Sequence, residues 1–278
     1  MHFGDALTKR VQDTSPVCVS FEPVLAKLPV GISKDTDGVL MFGKGMVDAT
    51  CGTASTFCIQ LACFEALGWQ GVKACWELAS YAKQKGFVVI ADGKRGDCGD
   101  AADAYAEAYL HEESPFDALT VNPYMGLQSL SPYIDACKKN DKGIFILLKS
   151  NNAGSGDVQD LPAGDESVHE YLAQLMEGLA AQHVGGEYNF SCVGAMVGTE
   201  YQEELKYLRT LMPHCPLLIT GYGAEGGTAE TVRCGFVPDG TGAIVSAGKS
   251  ILYASYEADW KEAAAREVKA MAEAIIKG

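Results

Sequence analysis

Eight short apolar runs divide this 278-residue chain, and helix-length amphipathic segments separate most of them. The runs are Val17–Phe21, Ser55–Ile59, Phe87–Asp92, Ala118–Asn122, Gly143–Lys149, Ser191–Val197, Pro216–Thr220 and Gly242–Ser246. Strands joined through helices are parallel, and nearly continuous apolar strands belong in a sheet covered on both faces. Eight such units in roughly 250 residues fit a (β/α)₈ TIM barrel. The competing open, doubly wound sheet needs a Gly-rich dinucleotide turn after the first strand, and Val17–Pro23 has none. No repeat, low-complexity tract or linker interrupts the pattern, so one domain is expected over residues 1–278.

The helical segments differ in clarity. Gln70–Lys85 places Val72, Trp76, Ala79 and Ala82 at helical spacing, and Gly86 suits a left-handed stop. Trp69 and Trp76, seven apart, are expected on one face packed against the barrel. Ala101–Leu110 and Glu200–Leu211 read as further helices, the latter with Leu205, Leu208 and Leu211 in one stripe. The first crossover is the least clear, because Pro29–Gly52 holds five glycines in a mixed polar pattern.

Composition removes several function classes. Twenty-two Lys and Arg against 36 Asp and Glu give a net charge of −14. That balance argues against nucleic acid and against an anionic membrane surface, both of which need clustered positive charge. The apolar runs are too short to span a bilayer, and Asp5, Lys9 and Arg10 occupy the place of a secretory h-region. Ten cysteines without a C-x-x-C pair, several inside apolar runs, read as reduced thiols of a cytoplasmic protein. The five histidines show no metal-ligand spacing, so no metal site is expected.

Barrel chemistry belongs at the C-terminal ends of the strands. Those ends carry Glu22, Cys58, Asp92 with Lys94, Asn122, Lys149 to Asn152, Gly198, Gly221 to Gly227, and Gly248 with Lys249. The densest cluster is ADGKRGD, Ala91–Asp97. Asp92 and Lys94 are two residues apart, so on a strand they share a face, and Asp97 follows on the turn. Carboxylates packed around a lysine in a barrel mouth suit proton transfer; the bland alternative is a solvated salt-bridged turn. GYGAEGG (Gly221–Gly227, including Gly223, Glu225 and Gly226) follows the seventh run, and SAGKS (Ser246–Ser250) follows the eighth. Gly-rich loops at those two exits are a common barrel phosphate site.

With these residues in view, the chain resembles the orotidine 5′-phosphate decarboxylases, in their longer bacterial subfamily. The likeness runs through HFGDALTKRV, PVCVSFEP, FEALGWQGVKA, VVIADGKRGDCGDAADAYAEAYL, LTVNPYMG, VGAMVGTEY, GYGAEGG and SILYA. It implies a barrel that forms homodimers with active sites at the subunit interface. It also implies decarboxylation of orotidine 5′-phosphate to uridine 5′-phosphate with no metal or organic cofactor. On this reading Asp92 crowds the substrate carboxylate, Lys94 stabilises and protonates the C6 carbanion, and Asp97 reaches into the partner's site. The phosphate falls to Gly221–Gly227, Gly248 and Lys249.

The chain departs from the family pattern inside the site. The second network lysine, expected in a Lys-Pro-Gln motif, is Cys58 of Cys58-Ile59-Gln60. The ribose-contacting Asp is Glu22, the pyrimidine-reading Ser is Asn151, the phosphate-loop Gln is Glu225, and the phosphate Arg is Lys249. A Thr one turn past the charge cluster is Ala101. Asp92, Asp97 and Lys94 sum to −1 where the family network sums to zero. Two alternatives therefore stay open: a paralogue acting on another phosphorylated small molecule, and a catalytically silent nucleotide-binding dimer.

Overall fold

A computed structural model describes residues 1–198 and 202–277. Ten strands occur in it: β1 (Val17–Phe21), β2 (Thr56–Gln60), β3 (Val88–Arg95), β4 (Ala118–Val121), β5 (Gly143–Lys149), β6 (Pro162–Ala163), β7 (Glu166–Ser167), β8 (Val193–Gly198), β9 (Leu217–Thr220) and β10 (Ala243–Ala247). Eight close into a parallel barrel in the order β1-β10-β9-β8-β5-β4-β3-β2, while β6 and β7 form a small antiparallel ladder outside it. The barrel strands coincide with the eight apolar runs to within three residues at either end, so the (β/α)₈ expectation holds.

Side chains alternate across each strand, which sorts the barrel into an inner and an outer set. Phe21 points outward and packs on Phe42, Phe57 and Phe64, with ring centroids 5.7, 5.7 and 6.1 Å away. Its neighbours in parity point inward: Ser20 and Glu22, Cys58 and Gln60, Asp92 and Lys94, Leu218 and Thr220, Ser246 and Gly248 all face one cavity. The register Ser20↔Cys58 and Gln60↔Asp92 brings these pairs to a common height.

The unclear first crossover contains a 15-residue helix, Thr36–Thr50, capped by Asp35, whose carboxylate accepts from the Gly38 N–H at 2.9 Å. Its glycines are packing devices. A Cβ on Gly43 would lie 2.6 Å from Leu78 Cδ2, and one on Gly45 would lie 2.2 Å from the Trp260 ring. Two expectations are corrected in the helix Gly68–Gln84. Its buried face is Gly71, Ala74, Cys75, Leu78, Ala79 and Ala82, which leaves Val72 exposed. Trp69 is 72% exposed, whereas Trp76 stacks on Tyr109. The helix read from Glu200 is described from Gln202 to Leu211; Glu200 lies outside the described residues, as does the end of VGAMVGTEY. Among the described residues no helix is long and apolar enough to cross a membrane.

Candidate active site

The strand C-termini enclose a cavity of about 430 Å³. Asp92, only 4% exposed, sits on its wall. The Lys94 ammonium donates to both Asp92 oxygens, at 2.8 and 2.9 Å. Gln60 Nε2 donates to Oδ2 at 3.0 Å, and the Thr120 hydroxyl donates to Oδ1 at 2.7 Å. The two side chains meet as their spacing predicted, although not through an extended strand. The register of β3 against β4 shifts between Ala91 and Arg95, and Lys94 adopts φ +45°. A left-handed non-glycine residue costs about 1–2 kcal/mol, and such strain concentrates where a side chain must be aimed. Arg95 turns the other way, to an ion pair with Glu65 and to the faces of Tyr105 and Tyr109.

Cys58 is 3% exposed beside this pair. A hydrogen bond with the Cys18 thiol, then burial, then the Asp92 carboxylate push the Cys58 thiol well above its ordinary range. It is a neutral group, not a reactive thiolate. Lys44 does not replace the missing lysine: it pairs with Glu77 at 2.5 Å on the outer helices.

Glu22, Asn151, Glu225, Gly248 and Lys249 also line the cavity. Glu22 accepts from Ser20 Oγ at 2.8 Å. Asn151 donates to the Thr220 carbonyl at 3.1 Å and to Glu225 at 3.5 Å. A Cβ on Gly198 would fall 1.6 Å from Asn151 Oδ1, which explains the glycine at that strand end. Glu225 and Lys249 face each other at 3.6 Å and link the two loops expected to hold phosphate. Both are about half exposed or more, so the pair stabilises by about 0–1 kcal/mol.

Three expected residues stand off the cavity wall. Gly223 and Gly226 shape the loop instead, at φ +77° and +95°, with their N–H groups bonded to Gly227 O and Gly223 O. Asp97 accepts from the Cys98 N–H at 2.9 Å and is not part of the lining. Sequence reasoning missed Gln60, Thr120 and Met196. Gln60 shares the inward parity of Cys58, which is the signal that would have found it.

The loop bearing Asn151 is anchored by a charge cluster also missed from sequence, in which Lys149 and His169 are buried and Asp160 is exposed. Lys149 pairs with Asp160, while His169 lies 3.2 Å from Asp160 and 3.1 Å from Glu204. Asp160, His169 and Glu204 converge within 4.8 Å of one another, a grouping seen in metal sites, but the Lys149 ammonium already lies on Asp160. Burial lowers the His169 pKa; hydrogen bonds to Glu204 and to the Gln159 carbonyl outweigh it and hold the value above 6.5. A raised folded-state value means stability that is complete below 6.5 and is lost as pH rises through the folded value. The thermal midpoint should therefore fall between about pH 6 and pH 8 more steeply in the parent than in His169→Gln. Parallel curves would show that His169 is uncoupled from folding.

Comparison with known proteins gives a consistent match. The family model for "Orotidine 5′-phosphate decarboxylase / HUMPS family" covers residues 46–267. The chain is 35% identical to an orotidine 5′-phosphate decarboxylase of Clostridium perfringens, over 98% of this chain and 97% of the relative. It is 37% identical to one of Rhodopirellula baltica, over 95% and 92%. Among solved structures, Leishmania donovani OMP decarboxylase superposes with a TM-score of 0.77 at 28% identity, covering 98% of both chains.

Proposed function

Because this chain belongs to the orotidine 5′-phosphate decarboxylase / HUMPS family, we propose that it removes the C6 carboxylate of orotidine 5′-monophosphate to give uridine 5′-monophosphate. The observation that carries the reading is the buried Asp92 carboxylate held against the Lys94 ammonium at the mouth of the barrel.

A substrate carboxylate brought against Asp92 is repelled, and the repulsion is relieved as carbon dioxide leaves. The C6–carboxylate bond breaks and its electron pair stays on C6. Lys94 lies beside that charge, stabilises it and delivers one of its protons to C6; water then returns a proton to the amine. These steps use only the chain's own groups. The loops at Gly221–Gly227 and Gly248–Lys249 take the phosphate, whose binding energy holds the closed, desolvated state. Glu22 and Asn151 face the ribose and the base.

Asp97 fits the same scheme in a homodimer. Gly96 packs against Asn122, next to a face where Tyr124, Met125, Tyr171 and Leu175 are exposed. The same face borders an apolar groove of about 400 Å³. An apolar patch of this kind suits a partner copy, and in such a dimer Asp97, one residue after Gly96, would be the group that enters the partner's cavity.

Glu225 works against the phosphate. Glu225→Gln should lower KM for the nucleotide about fivefold, leave kcat nearly unchanged, and show a smaller effect at high salt. Michaelis kinetics at two ionic strengths measure this; an unchanged KM would mean that the phosphate sits elsewhere. Because Lys249 is already paired with Glu225, a second reading keeps the site and changes the ligand to another phosphorylated small molecule. Incubation with orotidine 5′-monophosphate, with uridine 5′-monophosphate identified as product, separates the two. Binding without conversion would favour the second reading.

A further inference from the structure

We propose that Thr120 is a positioning residue for the Asp92–Lys94 pair, an inference that rests on the decarboxylase reading of this site. Thr120 lies on β4, fully buried, in a run that otherwise reads as plain barrel core. A hydroxyl has one donor and two acceptor positions. All three are occupied here, and all three partners belong to the charge cluster. The hydroxyl donates to Asp92 Oδ1 at 2.7 Å and accepts the Gly93 N–H at 3.0 Å and the Lys94 N–H at 2.9 Å.

These contacts do two jobs at once. The two accepted N–H groups fix the turn in which β3 breaks register with β4 and Lys94 goes left-handed, and that turn aims the ammonium at the cavity. The donated bond fixes one Asp92 oxygen while Gln60 holds the other, so the carboxylate cannot rotate away from a substrate carboxylate. Without the hydroxyl the Gly93 and Lys94 N–H groups lose the one cross-strand oxygen that accepts both, and the two reacting groups lose their shared reference point. Thr120 does not line the cavity, so its effect on substrate passes through Asp92 and Lys94.

The test compares the parent with Thr120→Val, which keeps the shape and removes the hydroxyl, and Thr120→Ser, which keeps the hydroxyl. Thr120→Val should lower kcat for orotidine 5′-monophosphate about tenfold to a hundredfold while KM stays within about threefold, because the loops expected to grip the nucleotide lie on other strands. Thr120→Ser should recover kcat to within about threefold of the parent. Amide hydrogen exchange in the ligand-free proteins gives a readout independent of turnover: the Gly93 and Lys94 amides should exchange faster in Thr120→Val and at the parent rate in Thr120→Ser. A Thr120→Val kcat within threefold of the parent, or an equal loss in both variants, would overturn the proposal. A parent without turnover would overturn the decarboxylase reading alone. The exchange rates then decide on Thr120, and unchanged rates in Thr120→Val would sink it.

Discussion

Lys94→Ala should reduce decarboxylation by at least about three orders of magnitude, because in the proposed mechanism one group supplies both electrostatic stabilisation and the proton. The ammonium contacts both oxygens of Asp92, at 2.8 and 2.9 Å. Its loss removes the charge that would face the C6 carbanion. It also leaves a carboxylate that is 4% exposed without a cationic partner. Breaking such a pair costs about 3–5 kcal/mol of stability when the charge stays buried. The cavity softens this cost, because Asp92 opens toward solvent on that side. A thermal melt and a uridine 5′-monophosphate titration should accompany the kinetics. A folded variant that binds nucleotide and does not turn it over is the expected result. Turnover within tenfold of the parent would remove Lys94 from the chemistry.

Cys58→Lys should act in the opposite direction and raise kcat/KM. Cys58 is the register partner of Ser20 and Ile90, one inward step below the Gln60–Asp92 pair. Its thiol is neutral, so in the proposed homodimer Asp92, Lys94 and the partner's Asp97 would sum to −1 toward a substrate that carries both carboxylate and phosphate. A lysine there brings that sum to zero. Leaving one charge of a buried network uncompensated costs about 3–5 kcal/mol, so compensating it is worth at most two to four decades in kcat/KM. Overpacking limits the gain, since the longer side chain must extend into the cavity rather than the wall. Michaelis constants for parent and variant measure the effect. A decrease in kcat/KM with the fold intact would mean that the site is adapted to the neutral thiol.

The barrel was legible in the sequence because strands covered by helices on one side and packed inside on the other become continuous apolar runs. Turn glycines and polar exits marked where those runs stop. The helix Thr36–Thr50 was obscured by Gly43 and Gly45, which lower helix propensity while permitting close approach to Leu78 and Trp260. Asp92 and Lys94 were flagged by their spacing, whereas the left-handed turn at Lys94 that brings them together was not. Thr120 was not, because β-branched residues fill barrel strands for packing reasons, and its contacts depend on a register shift between β3 and β4. The Lys149, Asp160, His169 and Glu204 cluster was hidden for a different reason: its members come from β5, the loop after it and two separate helices. Val72 and Trp69 show the limit of a helical-wheel reading when the strip facing the barrel is built from Ala, Cys and Gly.

The central claim is that Lys94, held on Asp92, drives loss of carbon dioxide from the nucleotide. Single-turnover release of labelled carbon dioxide from carboxyl-labelled orotidine 5′-monophosphate, with protein in excess over substrate, tests it most directly. Excess protein makes slow chemistry visible, and Lys94→Ala run in parallel exposes any contaminating activity. The account predicts complete release by the parent and only background release by Lys94→Ala. Equal release from both, or none from a parent that binds the nucleotide, would contradict it.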